Sequence, residues 1–500
     1  MMNQPIQTKN FYESIGFSGN PFEGNTAERE PHIDQYAVRP PYLDPVEEAS
    51  KSFGTYTLSG SRGSGKSATR ITIYRNVWNS QNKHLLPIAL TNFSNFRGKF
   101  KPDELLEKFV SQIFFLTIEA SLVYLSSEDK VELSLSKLDK DSKDFIDWSL
   151  TNFYLNRSEE ARLSSVTECY DLLALSFSRK SKIWADKKWD AVTSSIISIV
   201  DAIAKKFDID IGNHDSYVKA ASKTFLKENI DPLYILRKSV EFSRLMGFSG
   251  LLIQVDKIDE TDWTTNNSGA AAALIWPLYS NVHLHEIEGL SWSFFLWDQV
   301  RNLLVQENGM PVRWDKIPNN SIKWDKKHLE NLVNKRIEYF SNKSLSNLSE
   351  IFEENIDINF VYSRLFSVAG VAPRTLITVL DTVLTNHIQE VEGAAKLLSI
   401  DSLERGLDVY ATTSILNDYS PDTISQCKKV EKCDFVTTEI AKVFSIGQQG
   451  ARQKIEKWIQ LGIAKRDGQV FSGEGRKPVD KFTFSEPRIS RIVTRNLQLP

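Results

Sequence analysis

The chain has 500 residues, 41% of them hydrophobic and 25% charged, the composition of an ordinary globular protein with material for about three domains. A net charge of −3 excludes a polycation, so any surface that meets nucleic acid must be local. The three cysteines, Cys169, Cys427 and Cys433, exclude a disulfide framework and lack the short spacing and histidine partners of a zinc site.

From the N-terminus, Met1 to Pro5 carries no basic segment followed by an apolar one, so no signal peptide is expected and the cytoplasm is the default compartment. Turn formers then alternate with aromatic residues: Gly16, Gly19, Asn20, Pro21, Gly24, Pro40 and Pro41 among Phe11, Tyr12, Phe17, Phe22, Tyr36 and Tyr42. Aromatic side chains of this kind belong on a surface they can cover. Residues 1–50 are therefore expected to form an extended arm packed on the next domain. Because the arm feeds into the phosphate-loop strand, it is expected near the base of a nucleotide.

The β-rich run Gly54 to Leu58 enters Ser59-Gly60-Ser61-Arg62-Gly63-Ser64-Gly65-Lys66-Ser67, which fits G-x-x-x-x-G-K-[ST] at Gly60, Gly65, Lys66 and Ser67. Glycines let the backbone curl until successive N–H groups point inward at a phosphate. The helical run through Ala68 to Trp78 adds its positive dipole end. Gly60 to Ala68 are thus the expected cradle for ATP, with Arg62, Gly63 and Ser64 in its turn. Lys66 reaches the outer phosphates and the Ser67 hydroxyl is placed for Mg²⁺.

Apolar runs at Tyr56–Ser59, His84–Thr91, Gly250–Val255 and Ser291–Leu296 alternate with helical stretches. They predict an α/β core over residues 51–320: a parallel sheet with helices on both faces. Between Thr91 and Gly250 lie 158 residues, where a parallel crossover needs about a dozen or more. Helical periodicity recurs there (Leu105 to Leu116, Val192 to Phe207, Leu233 to Val240), which predicts a helical insertion over about residues 100–245. Its most apolar stretch, Phe109 to Leu125, is broken by Ser111, Gln112, Thr117, Glu119 and Ser121 and reads as a buried helix, not a membrane span. The run Asp129 to Lys143 reads as a solvated face.

Met310 to Trp314 follows as an expected edge strand. An amphipathic helix then carries Leu329, Leu332, Val333, Ile337 and Phe340 on one face. Helices are also expected at Ile358–Val368, Arg374–His387, Gly393–Leu398 and Ile400–Tyr410, making residues 321–415 a helical lid. In residues 420–500, a helix over Asp434–Phe444, a turn at Ser445–Gly447 and a helix over Gln448–Leu461 precede a hairpin. That hairpin is expected to turn at Asp467-Gly468 and to return, through the basic loop Arg476-Lys477-Pro478, as Lys481–Phe484. This is the pattern of a winged helix.

A hydrophobic strand ending in Asp256 would bring its carboxylate beside the phosphate loop, where it can hold Mg²⁺ with Ser67, directly or through water. Lys257 follows where many P-loop ATPases place a glutamate. Asp259 and Glu260 are the candidates for the catalytic base, and the alternative makes that pair the metal and base couple.

The phosphate loop, Asp256-Lys257-Ile258-Asp259-Glu260 and Gly370-Val371-Ala372-Pro373-Arg374 together resemble the AAA+/STAND class of P-loop ATPases, and within it the origin-recognition-like group with a C-terminal winged helix. The likeness spans roughly residues 15–90 and 230–490. It implies that Arg374 contacts the γ-phosphate from the lid, an arginine suited to a charge-assisted contact that forms only when that phosphate is present. It also implies a polar residue at the end of the fourth strand, here Asp298 or Gln299. An aspartate departs from the uncharged side chain usual there. A finger arginine is not fixed; Arg301 and Arg313 are candidates.

The last 80 residues hold 15 Lys+Arg against 9 Asp+Glu. Gln448, Gln449, Arg452, Gln453 and Lys454 begin the second helix of this segment, and Gln and Arg read purine edges in the major groove. Lys465, Arg466, Arg476, Lys477 and Lys481 lie on the hairpin, where phosphate contact is expected. The expected function is ATP binding and hydrolysis that controls DNA engagement or self-assembly, in mobile-element handling or antiviral defence. The partners expected are DNA, further copies of the chain or an effector protein, and no membrane. The alternative is a nucleotide-locked scaffold that docks an effector through its winged helix. A small-molecule kinase is disfavoured, since lid and winged helix would have no work in it.

Overall fold

The computed structural model describes residues 11–24, 30, 33–36, 38–40, 42–78, 85–98, 100–126, 139–158, 161–162, 231–265, 267–305, 312–392, 394, 396–471 and 478–500. The chain divides into two compact units, one of residues 26–34 with 39–323, the other of 1–25 with 35–38 and 324–500.

The first unit is built on a five-stranded sheet of β1 (Thr55–Gly60), β2 (Leu85–Leu90), β3 (Gly250–Val255), β4 (Leu290–Trp297) and β5 (Asn319–Ser321), in the order β2-β3-β4-β1-β5. All pairings are parallel, with Leu58 opposite Phe295 and Val255 opposite Phe294. The four central runs are almost wholly buried, which is why they read as unbroken apolar stretches and not as alternation. The α/β class and the four strands are as expected from the sequence.

Two expectations for this unit need correction. Helix Pro102–Ser126 packs on β2, and helix Pro232–Leu245 packs on β3 and on Pro102–Ser126. Both therefore belong to the layer covering the sheet, and an insertion can begin only beyond Ser126. Asp231 caps the second of these helices by accepting from Leu233 N at 3.0 Å, with Pro232 at its first position. The fifth strand is Asn319–Ser321, which pairs with β1. Val312 to Trp314 is not a strand. The Val192–Phe207 periodicity, residues 129–138 of the charged run, and Met310 and Pro311 lie outside the described residues.

The second unit has two hydrophobic cores. In one, helices Lys326–Phe340, Ile358–Ala369, Pro373–Glu390 and Ile400–Ser414 bury Leu329, Val333, Leu365, Leu380, Leu384 and Leu407. Phe11, Tyr12, Phe17 and Phe22 are part of this same cluster. Their backbone is tied to it, Ser18 N donating to Phe340 O at 2.7 Å and Arg336 Nε to Pro21 O at 2.7 Å. The first half of the arm is thus a component of the helical bundle. Its second half, helix Leu43–Lys51, packs on β1 and β4 of the other unit. Of the helix expected over Gly393–Leu398, the described residues 394 and 396–398 are not helical: Leu398 exchanges backbone bonds with Ile351 and Glu353, which removes it from any helical ladder.

The other core joins Ala411, Ile424, Phe435, Ile440, Ala451, Ile455, Trp458, Phe482, Phe484 and Ile492. Here helices Thr437–Val443 and Gln448–Gln460 lie with an antiparallel sheet of β6 (Asp434–Val436), β8 (Pro478–Phe484) and β7 (Ala464–Phe471). Asp434–Val436 was expected to be helical. Instead it is a strand, because Phe435 pairs with Phe482 across the sheet. Asp467-Gly468 is not the hairpin turn: β7 continues through it to Phe471, and the register shifts between Arg466 and Gln469 with Gly468 at φ 80°. A glycine in left-handed conformation here makes a bulge. No single helix among the described residues is long and apolar enough to cross a membrane.

The two cores are clamped by charge. Arg491 is 5% exposed and donates to Glu404 (2.6 Å) and Asp408 (2.7 Å), while Arg364 also pairs with Glu404 and Arg495 with Asp408. Burial raises the Glu404 pKa, but bonds from Arg364 and Arg491 outweigh it and bring it down to about 2. A depressed acid stabilises the fold above its unfolded value near 4.5 and loses that contribution as pH falls toward 2. Glu404→Gln is expected to cost about 2 kcal/mol at neutral pH, since Arg491 keeps Asp408. The gap in Tm between variant and parent should close as pH is lowered from 4.5 toward 2, as read by thermal melts; a constant gap would show that ionisation of Glu404 is not the source.

Candidate functional site

β1 ends at Gly60 and enters a loop that reverses at Gly63 (φ 75°) and Gly65 (φ 97°). Both values lie in the left-handed region that favours glycine. A Cβ on Gly60 would overlap Ser64 Oγ and come within 3.2 Å of Ile322 Cβ, so no side chain fits at the loop's entry. Helix Lys66–Trp78 begins at once, Thr69 N and Thr69 Oγ1 both donating to Gly65 O (2.9 and 3.0 Å). Lys66 Nζ donates to Gly60 O at 2.8 Å and Ser61 O at 3.0 Å. Ser67 and Ala68 follow, half-buried, at the second and third helical positions.

The parallel sheet brings acids to this loop from two other strands, each at a carboxyl end. Burial pulls the Lys66 ammonium below its ordinary pKa, and Asp256, Asp259, Asp298 and Glu260, in that order, oppose the shift. Four acids proposed from sequence are therefore gathered within electrostatic reach of one lysine. Asp256 follows β3 directly, Asp259 is buried, Glu260 is exposed, and Asp298 opens the helix after β4, half-buried. Gln299 is exposed.

Asp256 stands at the end of β3 as expected, but its carboxylate is engaged by the chain itself. Its Oδ2 accepts from Arg70 Nε at 3.0 Å and its Oδ1 from Lys257 N at 2.9 Å. The Arg70 and Asp256 side chains are only 2% and 3% exposed. Lys257 takes φ 64° to present that amide, a conformation that costs a non-glycine residue about 1 kcal/mol. The glycine cradle and helix start fit a polyphosphate. A magnesium ion bound directly at Asp256 Oδ2 does not fit, because it would have to displace a buried guanidinium.

Two contacts escaped the sequence reading. Arg70 lies one turn beyond Lys66 and so on the same helix face, the one available hint. Arg62 sits on the loop over the Trp297 ring at 4.6 Å, its Nε 3.2 Å from Asp259 Oδ2; pairing an arginine at 62 with an acid 197 residues away has no local signature.

Other candidates fall elsewhere. Arg301 is half-buried, donating to Asn319 Oδ1 at 2.7 Å and lying over the Trp314 ring, so it ties its helix to β5. Arg313 is exposed and doubly bonded to Asp315. Arg374 belongs to the second unit. It is exposed at the second position of Pro373–Glu390, after a chain reversal at Gly370 (φ 61°). In the C-terminal module, Gln448, Gln449, Arg452 and Gln453 are exposed on Gln448–Gln460, whose Ala451, Ile455 and Trp458 are buried. Lys454 is withdrawn, donating to Gln426 Oε1 and lying 4.4 Å from the Phe444 ring. Arg466 pairs with Asp480, and Lys481 with Asp434 and Asp467; Lys465 is exposed. Arg476 and Lys477 lie outside the described residues.

Asp256→Ala, which leaves a buried guanidinium uncompensated, should destabilise the first unit by about 3–5 kcal/mol in urea titrations. Asp256→Asn keeps the shape and one acceptor oxygen but also removes the charge, so it should cost nearly as much; a clearly smaller cost would mean that the charge pair is not what matters.

No protein-family model matches this sequence, and no curated protein matches it. Solved structures do. The Aeropyrum pernix ORC1 protein in complex with DNA is 9% identical with a TM-score of 0.40, over 95% of this chain and 97% of that one. Cdc6p from Pyrobaculum aerophilum is 9% identical with a TM-score of 0.34, over 96% and 98%. Drosophila ORC bound to DNA is 10% identical with a TM-score of 0.31, over 99% and 94%.

Proposed function

We propose that this chain is a nucleoside-triphosphate-binding protein of AAA+/STAND type, in which ATP held by the glycine loop controls DNA engagement or self-assembly. The observation that carries this reading is the loop: left-handed glycines, a position closed to any Cβ, and a helix start with Lys66 turned onto the loop carbonyls. Such a nest offers backbone donors to phosphate oxygens, and Lys66 supplies the point charge. Glu260 is the exposed carboxylate best suited to orient a water for slow hydrolysis. The contact of Arg374 with the γ-phosphate, which the family resemblance implies, is part of this reading. The lid and winged-helix roles of residues 321–415 and 420–500 belong to this reading. So do an oligomeric or effector partner, a cytoplasmic setting, and mobile-element handling or antiviral defence, the last by fold-level analogy.

A second reading, a non-hydrolysing scaffold that docks an effector protein, is favoured by one observation. Lys257 stands, in strained backbone, where a water-polarising glutamate would be.

Lys66→Ala should weaken ATP binding by at least about tenfold with the Tm little changed, as read by calorimetric titration; unchanged affinity would mean the loop is misread. In single turnover, phosphate release above that of Lys66→Ala supports the enzyme, and none supports the scaffold. For DNA, Arg466 and Lys481 are already paired with acids; with phosphate contacts from the other three hairpin cations the log–log salt slope should be about −3. Arg476→Glu with Lys477→Glu should lower affinity about tenfold at low salt. Unchanged binding would assign the module to protein docking.

A further inference from the structure

We infer that the Arg70 guanidinium does at this site the charge-neutralising work that a divalent cation does elsewhere, so that triphosphate capture by the glycine loop is independent of magnesium. The inference rests on the nucleotide reading and concerns how that same site is balanced.

Three features of the pair carry it. Arg70 and Asp256 are both out of water, and each oxygen of the acid is engaged, one by Arg70 Nε and one by the Lys257 amide. A metal that took Oδ2 would break a buried ion pair, which is strongly unfavourable when one partner is left behind, and Oδ1 already holds the Lys257 amide. The backbone that carries Arg70 is also tied to the sheet, because Gln254 Nε2 of β3 donates to the Arg70 main-chain carbonyl at 3.2 Å. Finally, Asp256 acts on Lys66 more strongly than the other acids do, so its charge would be the most repulsive toward an incoming phosphate if Arg70 did not meet it.

The surrounding charges agree. Arg62, Lys66, Arg70 and Lys257 stand against Asp256, Asp259, Glu260 and Asp298. With Arg62 on Asp259 and Arg70 on Asp256, two of these acids have their counter-ion built into the chain. A loop of this kind with a glutamate at 257 and no arginine at 70 would present a strongly negative site and need an added cation before accepting an anion.

The test is calorimetric titration of ATP into the full chain, once with magnesium chloride and once with EDTA. The dissociation constants should agree within about threefold for the parent protein. Arg70→Gln releases Asp256 as a lone acid. This variant should bind poorly in EDTA and regain about tenfold or more with magnesium, a response that loss of packing alone would not produce. The inference is overturned if the parent binds about tenfold or more tightly with magnesium, or if the folded variant responds to magnesium no more than the parent. Where circular dichroism shows the variant unfolded, the parent comparison decides alone. Absence of ATP binding by the parent in both buffers overturns the nucleotide reading itself, and this inference with it.

Discussion

A half-buried ammonium is the constraint around which the site in the first unit is arranged. Lys66 is drawn partly out of water at the start of a helix, where its own dipole end is positive, and both circumstances disfavour its charge. What keeps it there is the convergence of acids from the ends of β3 and β4 on the end of β1, together with the carbonyls of Gly60 and Ser61. Only a parallel sheet brings three carboxyl ends to one edge from segments far apart in the chain. The order β2-β3-β4-β1-β5 is thus as much a part of the site as any side chain in it.

The acids in turn need counter-charges, and the chain provides arginines. Arg70 meets Asp256 inside the protein, while Arg62 meets Asp259 at the rim, braced by Trp297. The two pairs differ in what they can do. The inner one is sealed and can be opened only at the expense of stability. The outer one involves an arginine 41% exposed, so it can exchange partners with little loss.

Much of this was legible in the sequence because it is written locally. The phosphate loop declares itself by spacing, the four buried strands by unbroken apolar runs, and the bundle helices by their 3.6-residue period, from Leu329 to Ile337 and on to Ile388. The failures have a common cause. Asp434–Val436 has no local reason to be extended; its conformation comes from pairing with Lys481–Thr483. Asp467-Gly468 carries a turn signal, yet the partner strand continues alongside it and turns it into a bulge. Asp256 was correctly placed at the end of a strand. Its neighbour Arg70 was invisible, since nothing in a helix sequence says which acid its buried arginine will meet. The arm failed in the same way: aromatic residues announce burial, but not against which surface.

Within the second unit, one small residue has mechanical weight. A Cβ on Gly406 would lie 2.6 Å from Val383 Cα, so helices Pro373–Glu390 and Ile400–Ser414 touch almost backbone to backbone. Contacts that close leave no slack to absorb a shift. Helix Ile400–Ser414 is fastened in turn to Pro487–Arg495 through Glu404 and Asp408. The helix that begins beside Arg374 and the C-terminal module are therefore joined as one lever arm. The first turn that carries Arg374 and the exposed glutamines of Gln448–Gln460 thus sit at two ends of one continuous set of contacts.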